Sequence, residues 1–189
     1  MSYHWTNGAC SHLGLRSHLN VALAGDSDLP VPSPAPDVSR SNSLPPSLLL
    51  YFDASVRYAE DNATPTSAAV GFVVGDGAEA LIEQSLPVRT FVSSAHLEYR
   101  ALLEAVQAVD AMDGRIASLH VHGDADAVID AVDPAVDAKP GDRIMAKRVA
   151  AIRNAVEAIP TVTYRAVGRG ENRRAHDLAQ RGHTNDHEQ

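Results

Sequence analysis

From Leu48 onward the chain alternates apolar runs with short polar separators, whereas no hydrophobic period is sustained before Pro46. Residues 48–53 form an apolar run that Asp53 closes, residues 67–75 carry Ala68-Ala69-Val70-Gly71-Phe72-Val73-Val74, and residues 80–89 form a third run. Asp61-Asn62, Pro65 and Gly75-Asp76-Gly77 lie between them as turn chemistry, the last a strong hairpin signal. Three antiparallel strands are predicted. The period then changes. Residues 95–111 place Leu97, Ala101, Leu102, Ala105, Ala108 and Val109 on one helical face, which Gly114 ends. A fourth strand follows over 116–123, a short helix over 125–132, and a longer helix over 142–159 closed by Pro160. A fifth strand over 161–167 and a last helix over 172–181 complete the pattern.

This order predicts an α/β domain whose mixed five-stranded sheet has three antiparallel strands, then helix-linked strands, with helices on its faces. The domain spans residues 47–183. Residues 1–46, with Pro and Ser concentrated over 30–46, are expected to be a weakly structured tail and linker, and 184–189 a C-terminal tail. His4, Cys10, His12 and His18 are zinc-capable types, but their spacing matches no paired-ligand pattern.

At 189 residues and 44% hydrophobic content the chain can bury a core of ordinary size. No apolar stretch approaches the ~20 residues that a membrane span needs. Leu19-Asn20-Val21-Ala22-Leu23-Ala24 is short for a secretion signal, so a cytoplasmic protein is expected, and no protein partner can be read from the sequence. A single cysteine rules out an intramolecular disulfide. The net charge of -8 argues against a large, charge-driven nucleic-acid interface. Yet 14 Arg stand against 2 Lys, and 16 Asp against 8 Glu, a skew that salt-loving organisms or a high-GC genome would produce. In concentrated salt the screening length falls to ~3 Å at 1 M, so acidity does not exclude a nucleic-acid substrate.

Asp53, Glu98, Asp124 and His176 each stand at the end of an apolar run or near the start of a helical one. That layout converges side chains on one point and suggests a divalent-metal site. Each also has a structural reading: Asp53 as a turn former, Glu98 as a solvated helix residue, Asp124 as a helix cap and His176 as a capping or surface histidine.

The segments around these positions are Tyr51-Phe52-Asp53-Ala54-Ser55, His96-Leu97-Glu98-Tyr99-Arg100-Ala101-Leu102, Gly123-Asp124-Ala125-Asp126-Ala127-Val128 and Asn172-Arg173-Arg174-Ala175-His176-Asp177-Leu178-Ala179. In this order and spacing they resemble the type 1 ribonuclease H family over about residues 48–181, and Val167-Gly168-Arg169-Gly170-Glu171-Asn172 resembles the loop before that family's last helix. The resemblance implies a ribonuclease H-like fold and an endonuclease that cuts the RNA strand of RNA–DNA hybrids with two divalent ions, Mg²⁺ or Mn²⁺. Asp53 would bridge both ions, Glu98 and Asp124 would complete the site, and the last helix would offer a fourth ligand. Phosphodiester hydrolysis needs a strong nucleophile and relief of developing charge, which two ions ~3.5–4 Å apart supply. Hard cations prefer the oxygens that carboxylates provide.

The chain departs from the family at the fourth ligand, where most catalytic members have Asp and this sequence has His176. Asp177 is one step later, about 100° around the helix and away from the face of Ala175, Leu178 and Ala179. His176 is therefore the expected ligand, with Mn²⁺ favoured over Mg²⁺ because imidazole suits it better. A proton shuttle is the alternative role, given an ordinary histidine pKa of ~6.5. Substrate contacts are expected at Ala54 and Ser55, at Ser93 and Ser94 where relatives often carry Thr-Asn, and at Arg169 and Asn172, since a hybrid is distinguished by 2′-hydroxyls on one strand only. Arg173 and Arg174 are either phosphate contacts or a solvated face. From another class comes an inactive module that keeps the fold and binds nucleic acid without cutting.

Overall fold

The computed structural model describes residues 47–183. The expected tails, with His4, Cys10, His12 and His18, lie outside the described residues. Nine elements follow one another: β1 (Ser47–Tyr58), β2 (Pro65–Gly75), β3 (Ala80–Pro87), α1 (Ser94–Asp110), β4 (Ser118–Gly123), α2 (Asp126–Val132), α3 (Arg143–Ala155), β5 (Thr161–Ala166) and α4 (Arg173–Arg181). The strands form one sheet in the order β3-β2-β1-β4-β5. β1, β2 and β3 pair antiparallel, while β4 joins β1, and β5 joins β4, in parallel. The mixed sheet expected from the sequence is the sheet observed. No helix among the described residues is long and apolar enough to cross a membrane.

Side chains alternate across β1, and the two faces have different fates. Leu48, Leu50 and Phe52 are fully buried on the face covered by α1, against which α3 packs. There they pack with Leu119 and Val121 of β4 and with Leu97, Leu102, Ala105, Val106 and Val109 of α1. Burial of each large side chain contributes about 1.5–3 kcal/mol. Tyr51, Asp53 and Ser55 point to the opposite face, where α4 lies against β1, β2 and β3. The helix comes very close. A Cβ added at Gly71 would fall 2.6 Å from Ala175 O and 2.8 Å from Leu178 C, and closer still to Ala179 N. Gly71 is the cross-strand partner of Asp53, so this tight helix–sheet approach lies beside that carboxylate.

Two sequence expectations are corrected. Asp53 does not end its strand: β1 continues to Tyr58 because β2 keeps pairing with it through Tyr58↔Pro65. The ladder on the other edge stops at Phe52↔Gly123, so Asp53 is the first β1 residue beyond β4. It therefore stands at the carboxyl end of the parallel strands, where open α/β sheets place their ligand crevices. Asp124 caps no helix, because α2 starts at Asp126 after Ala125 and has no side-chain cap. Its carboxylate is engaged elsewhere.

Candidate active site

Four elements bring the site together. Asp53 is 4% exposed on β1. Asp124 follows Gly123, the β4 residue paired with Phe52, and so emerges beside Asp53. Asn172, which precedes α4, is 0% exposed and donates from Nδ2 to Phe52 O at 2.9 Å and to Asp124 Oδ1 at 2.8 Å. One amide thus ties the end of β4 to the β1 backbone immediately before Asp53. On α4, His176 Nδ1 lies 2.7 Å from Asp53 Oδ2. Asp177 is exposed on another side of the helix, 3.9 Å from Arg173.

Glu98 comes from α1, on the far side of the sheet. The helix is held by its first turn: Ser93 caps it, His96 Nε2 lies 2.8 Å from Asp142 Oδ2 at the start of α3, and Arg148 donates to His96 O. Glu98 is half-buried as a residue, but its Oε2 is closed off from solvent and has no hydrogen-bond partner. Burial, then the charges of Asp53 and Asp124, push its pKa from 4.5 up to about 8, against a lowering bond to the Ala54 backbone. Asp53 is also held above the ordinary carboxylate range, by burial first and by Asp124, although the bond to His176 opposes this. Asp53 and Asp124 thus both disfavour charge on Glu98, which keeps its proton near neutrality, and full ionisation of the cluster is unfavourable without a counter-charge.

Among the described residues, no three His, Cys, Asp or Glu side chains already stand in an arrangement that would hold a metal ion. The donor chemistry nonetheless fits a divalent cation. Three mutually repelling carboxylates supply hard oxygens, and the unsatisfied Glu98 Oε2 lacks the partner that a cation would be.

The residues expected to touch substrate are distributed differently. Ser55 is 6% exposed, with its hydroxyl turned to α4, where Gln180 Nε2 donates to it at 2.8 Å. Ala54 is half-buried beside Asp53. Ser93 Oγ lies 2.7 Å from His96 Nδ1 in the α1 cap, while Ser94 is exposed. Arg169 is exposed in the loop between β5 and α4, and Arg174 pairs with Glu83. Asn172 is buried inside the cluster, so its side chain organises the carboxylates and does not face outward. Sequence reasoning missed that role and the place of Gly71. A helix-start Asn reads equally well as a cap, and a glycine within a strand signals only a close approach of unknown origin.

The family model for reverse transcriptase-like proteins matches residues 53–182. No curated protein matches the chain significantly. Solved structures do. Ribonuclease H1 from the halophilic archaeon Halobacterium salinarum is 23% identical with a TM-score of 0.62, over 74% of this chain and 98% of its own. The N-terminal ribonuclease H domain of a Mycobacterium tuberculosis protein is 20% identical with a TM-score of 0.61, over 74% of this chain and 94% of the other. A ribonuclease H1 solved in complex with an RNA/DNA hybrid is 18% identical with a TM-score of 0.59, over 74% and 98%. At these identities the likeness is one of fold. The family match covers most of the chain, and the sheet order agrees with it: the chain belongs to the reverse transcriptase-like family and carries the ribonuclease H fold.

Proposed function

We propose that this protein is an endonuclease that hydrolyses the RNA strand of RNA–DNA hybrids in the cytoplasm. The observation that carries the reading is the influence of Asp53 and Asp124 on Glu98, which with burial pushes its pKa up to about 8, together with the unsatisfied Glu98 oxygen. Such a cluster is costly for a folded chain unless a cation or a proton relieves it. The fold it shares with a ribonuclease H1 solved on an RNA/DNA hybrid supports the same substrate.

Asp53, Glu98 and Asp124 would hold two Mg²⁺ or Mn²⁺ ions, with His176 as the fourth ligand. When bound, such ions lower the pKa of attacking water and offset charge on the phosphate and the leaving oxygen. The chain's own residues prepare the site. Asn172 fixes Asp124 relative to the β1 backbone, and the α1 cap with the His96–Asp142 contact fixes the helix that presents Glu98. The alternative to ligation is a proton shuttle: bonded to Asp53 and partly open to solvent, His176 would then pass a proton between the site and water. Contacts to substrate would fall to the exposed Ser94 and Arg169 and to the half-buried Ala54 beside Asp53.

One observation favours a second reading, a module that binds nucleic acid without cutting it: the 2.7 Å bond from His176 already occupies Asp53 Oδ2. Labelled RNA–DNA hybrid, single-stranded RNA and duplex RNA, each incubated with the protein in Mg²⁺, Mn²⁺ or chelator at high and low salt, separate the readings. Metal-dependent loss of the hybrid's RNA strand alone is expected. Binding of hybrid with no cleavage in any condition would leave the binding module.

A further inference from the structure

α4 meets β1 through polar groups at both ends of a single helical face. His176, Gln180 and His183 are four and three residues apart, so they share one side of the helix and of the turn that continues it. Asp53 and Ser55 are two apart and share one side of β1. The spacings match. His176 meets Asp53, while Gln180 Nε2 at 2.8 Å and His183 Nε2 at 3.0 Å both meet Ser55 Oγ. His183 is 4% exposed and reaches further, its Nδ1 lying 2.7 Å from Ser67 Oγ on β2.

The Gln180 amide nitrogen donates to the Ser55 oxygen. A neutral imidazole has one donor and one acceptor nitrogen, and each hydroxyl can play either part, so a neutral His183 satisfies both Ser55 and Ser67 in either tautomer. Burial and the charge of Arg57 both favour that neutral form.

Two glycines set the spacing at the two contact points. Gly71 is the strand partner of Asp53 and lies under Ala175 and Ala179. Gly182 lies over Ala69, the strand partner of Ser55, and a Cβ at Gly182 would fall 2.5 Å from Ala69 Cβ. Between these points α4 buries Ala175, Leu178 and Ala179 against the sheet, and further directional ties run to β3, where Ser85 donates to Leu178 O at 2.7 Å and Glu83 pairs with Arg174. Small apolar contacts resist separation but hardly resist sliding along the helix axis. Paired polar groups with fixed partners do.

We propose that His183 is a positioning residue of the active site: by bridging Ser55 and Ser67 it ties the C-terminal end of α4 to β1 and β2, the strand that carries Asp53 and its neighbour, and so helps hold His176 against Asp53. The proposal rests on the reading of the Asp53 cluster as the catalytic site. A displacement of ~1 Å at a reacting group can cost up to 10²-fold in rate, so the anchor at the far end of α4 bears directly on activity.

The test compares wild type with His183→Ala, His183→Gln and Ser67→Ala, each at a temperature where circular dichroism shows it folded. A glutamine amide, like a neutral imidazole, offers both a donor and an acceptor and so can bond both hydroxyls. Two readouts are taken: kcat and KM on RNA–DNA hybrid, and the ¹⁵N imidazole resonances of His176 in metal-free protein. His183→Ala should lower kcat about tenfold with KM within about twofold and shift the His176 resonances, while His183→Gln should recover most of both. Should His183→Ala not fold, Ser67→Ala keeps the imidazole volume and should shift His176 in the same sense. Unshifted His176 resonances with wild-type kcat in the folded alanine variants would overturn the proposal, as would equal impairment by Ala and Gln. If wild type cleaves no hybrid, the hydrolase reading fails by itself, and the His176 resonances still decide the positioning role.

Discussion

Replacing Glu98 with Gln should make the metal-free protein more stable at alkaline pH, and the gain should vanish in acid. The folded-state pKa of Glu98 is raised from 4.5 to about 8, by burial first and then by Asp53 and Asp124. A raised carboxyl pKa means that between these values the folded chain keeps a proton that the unfolded chain has released. Stability therefore falls as pH rises through this window, and the loss is complete above about pH 8. The interval of 8 − 4.5, about 3.5 units, at about 1.36 kcal/mol per unit sets a ceiling of about 5 kcal/mol. Glu98 is only half-buried as a residue, and a charged cluster relaxes by drawing in water, so about 2 kcal/mol is the expected loss. Glutamine keeps the shape and cannot ionise. Urea unfolding in chelator at pH 5, 7 and 9 should give wild type and Glu98→Gln nearly equal stability at pH 5, with the variant ahead by about 2 kcal/mol at pH 9. A divalent cation at pH 9 should raise wild type more than the variant, because it relieves a repulsion that the variant lacks. A difference that stays constant across pH would refute the reasoning, since Glu98 would then not share a pocket with the other two carboxylates.

Three further outcomes follow from the same geometry. Asp53→Asn should abolish hybrid cleavage yet leave the urea midpoint at neutral pH unchanged or higher, because it removes a buried charge held above its ordinary range; a loss beyond about 2 kcal/mol would make the Asp53–His176 pair structural. Gly71→Ala should destabilise the protein by about 1–3 kcal/mol and lower kcat more than about tenfold, since the new methyl must push α4 off the sheet at Asp53; an unchanged melting temperature with wild-type kcat would show that the helix gives way freely. Cleavage should be faster in Mn²⁺ than in Mg²⁺, with the preference narrowed in His176→Asp, and equal or lower rates in Mn²⁺ across a concentration series would remove His176 from the ligand set.

What the amino-acid sequence determined by itself was the succession of elements. Apolar residues at period two and at period 3.6 fix which segments pair and which coil, so the order from β1 to α4 and the α/β class were legible before any coordinates. The polar residues interrupting those periods, Asp53, Glu98, Asp124 and His176, stood out for the same reason. Their relations did not. β1 runs past Asp53 because β2 continues to pair with it, and the position of Asp53 at the end of the parallel ladder is set by where β4 stops, a property of the partner strands. Asn172 and Ser55 looked like surface contacts, yet each is buried by an element more than a hundred positions away in sequence, from which no local period can be read. The two glycines of the α4 contact, and the reach of His183 to two strands at once, were decided only when helix and sheet backbones came close enough to exclude a Cβ. Hydrophobic patterning acts between near neighbours in sequence and so specifies elements, whereas a site made of hydrogen bonds and shared charge depends on distances that only the packed chain has.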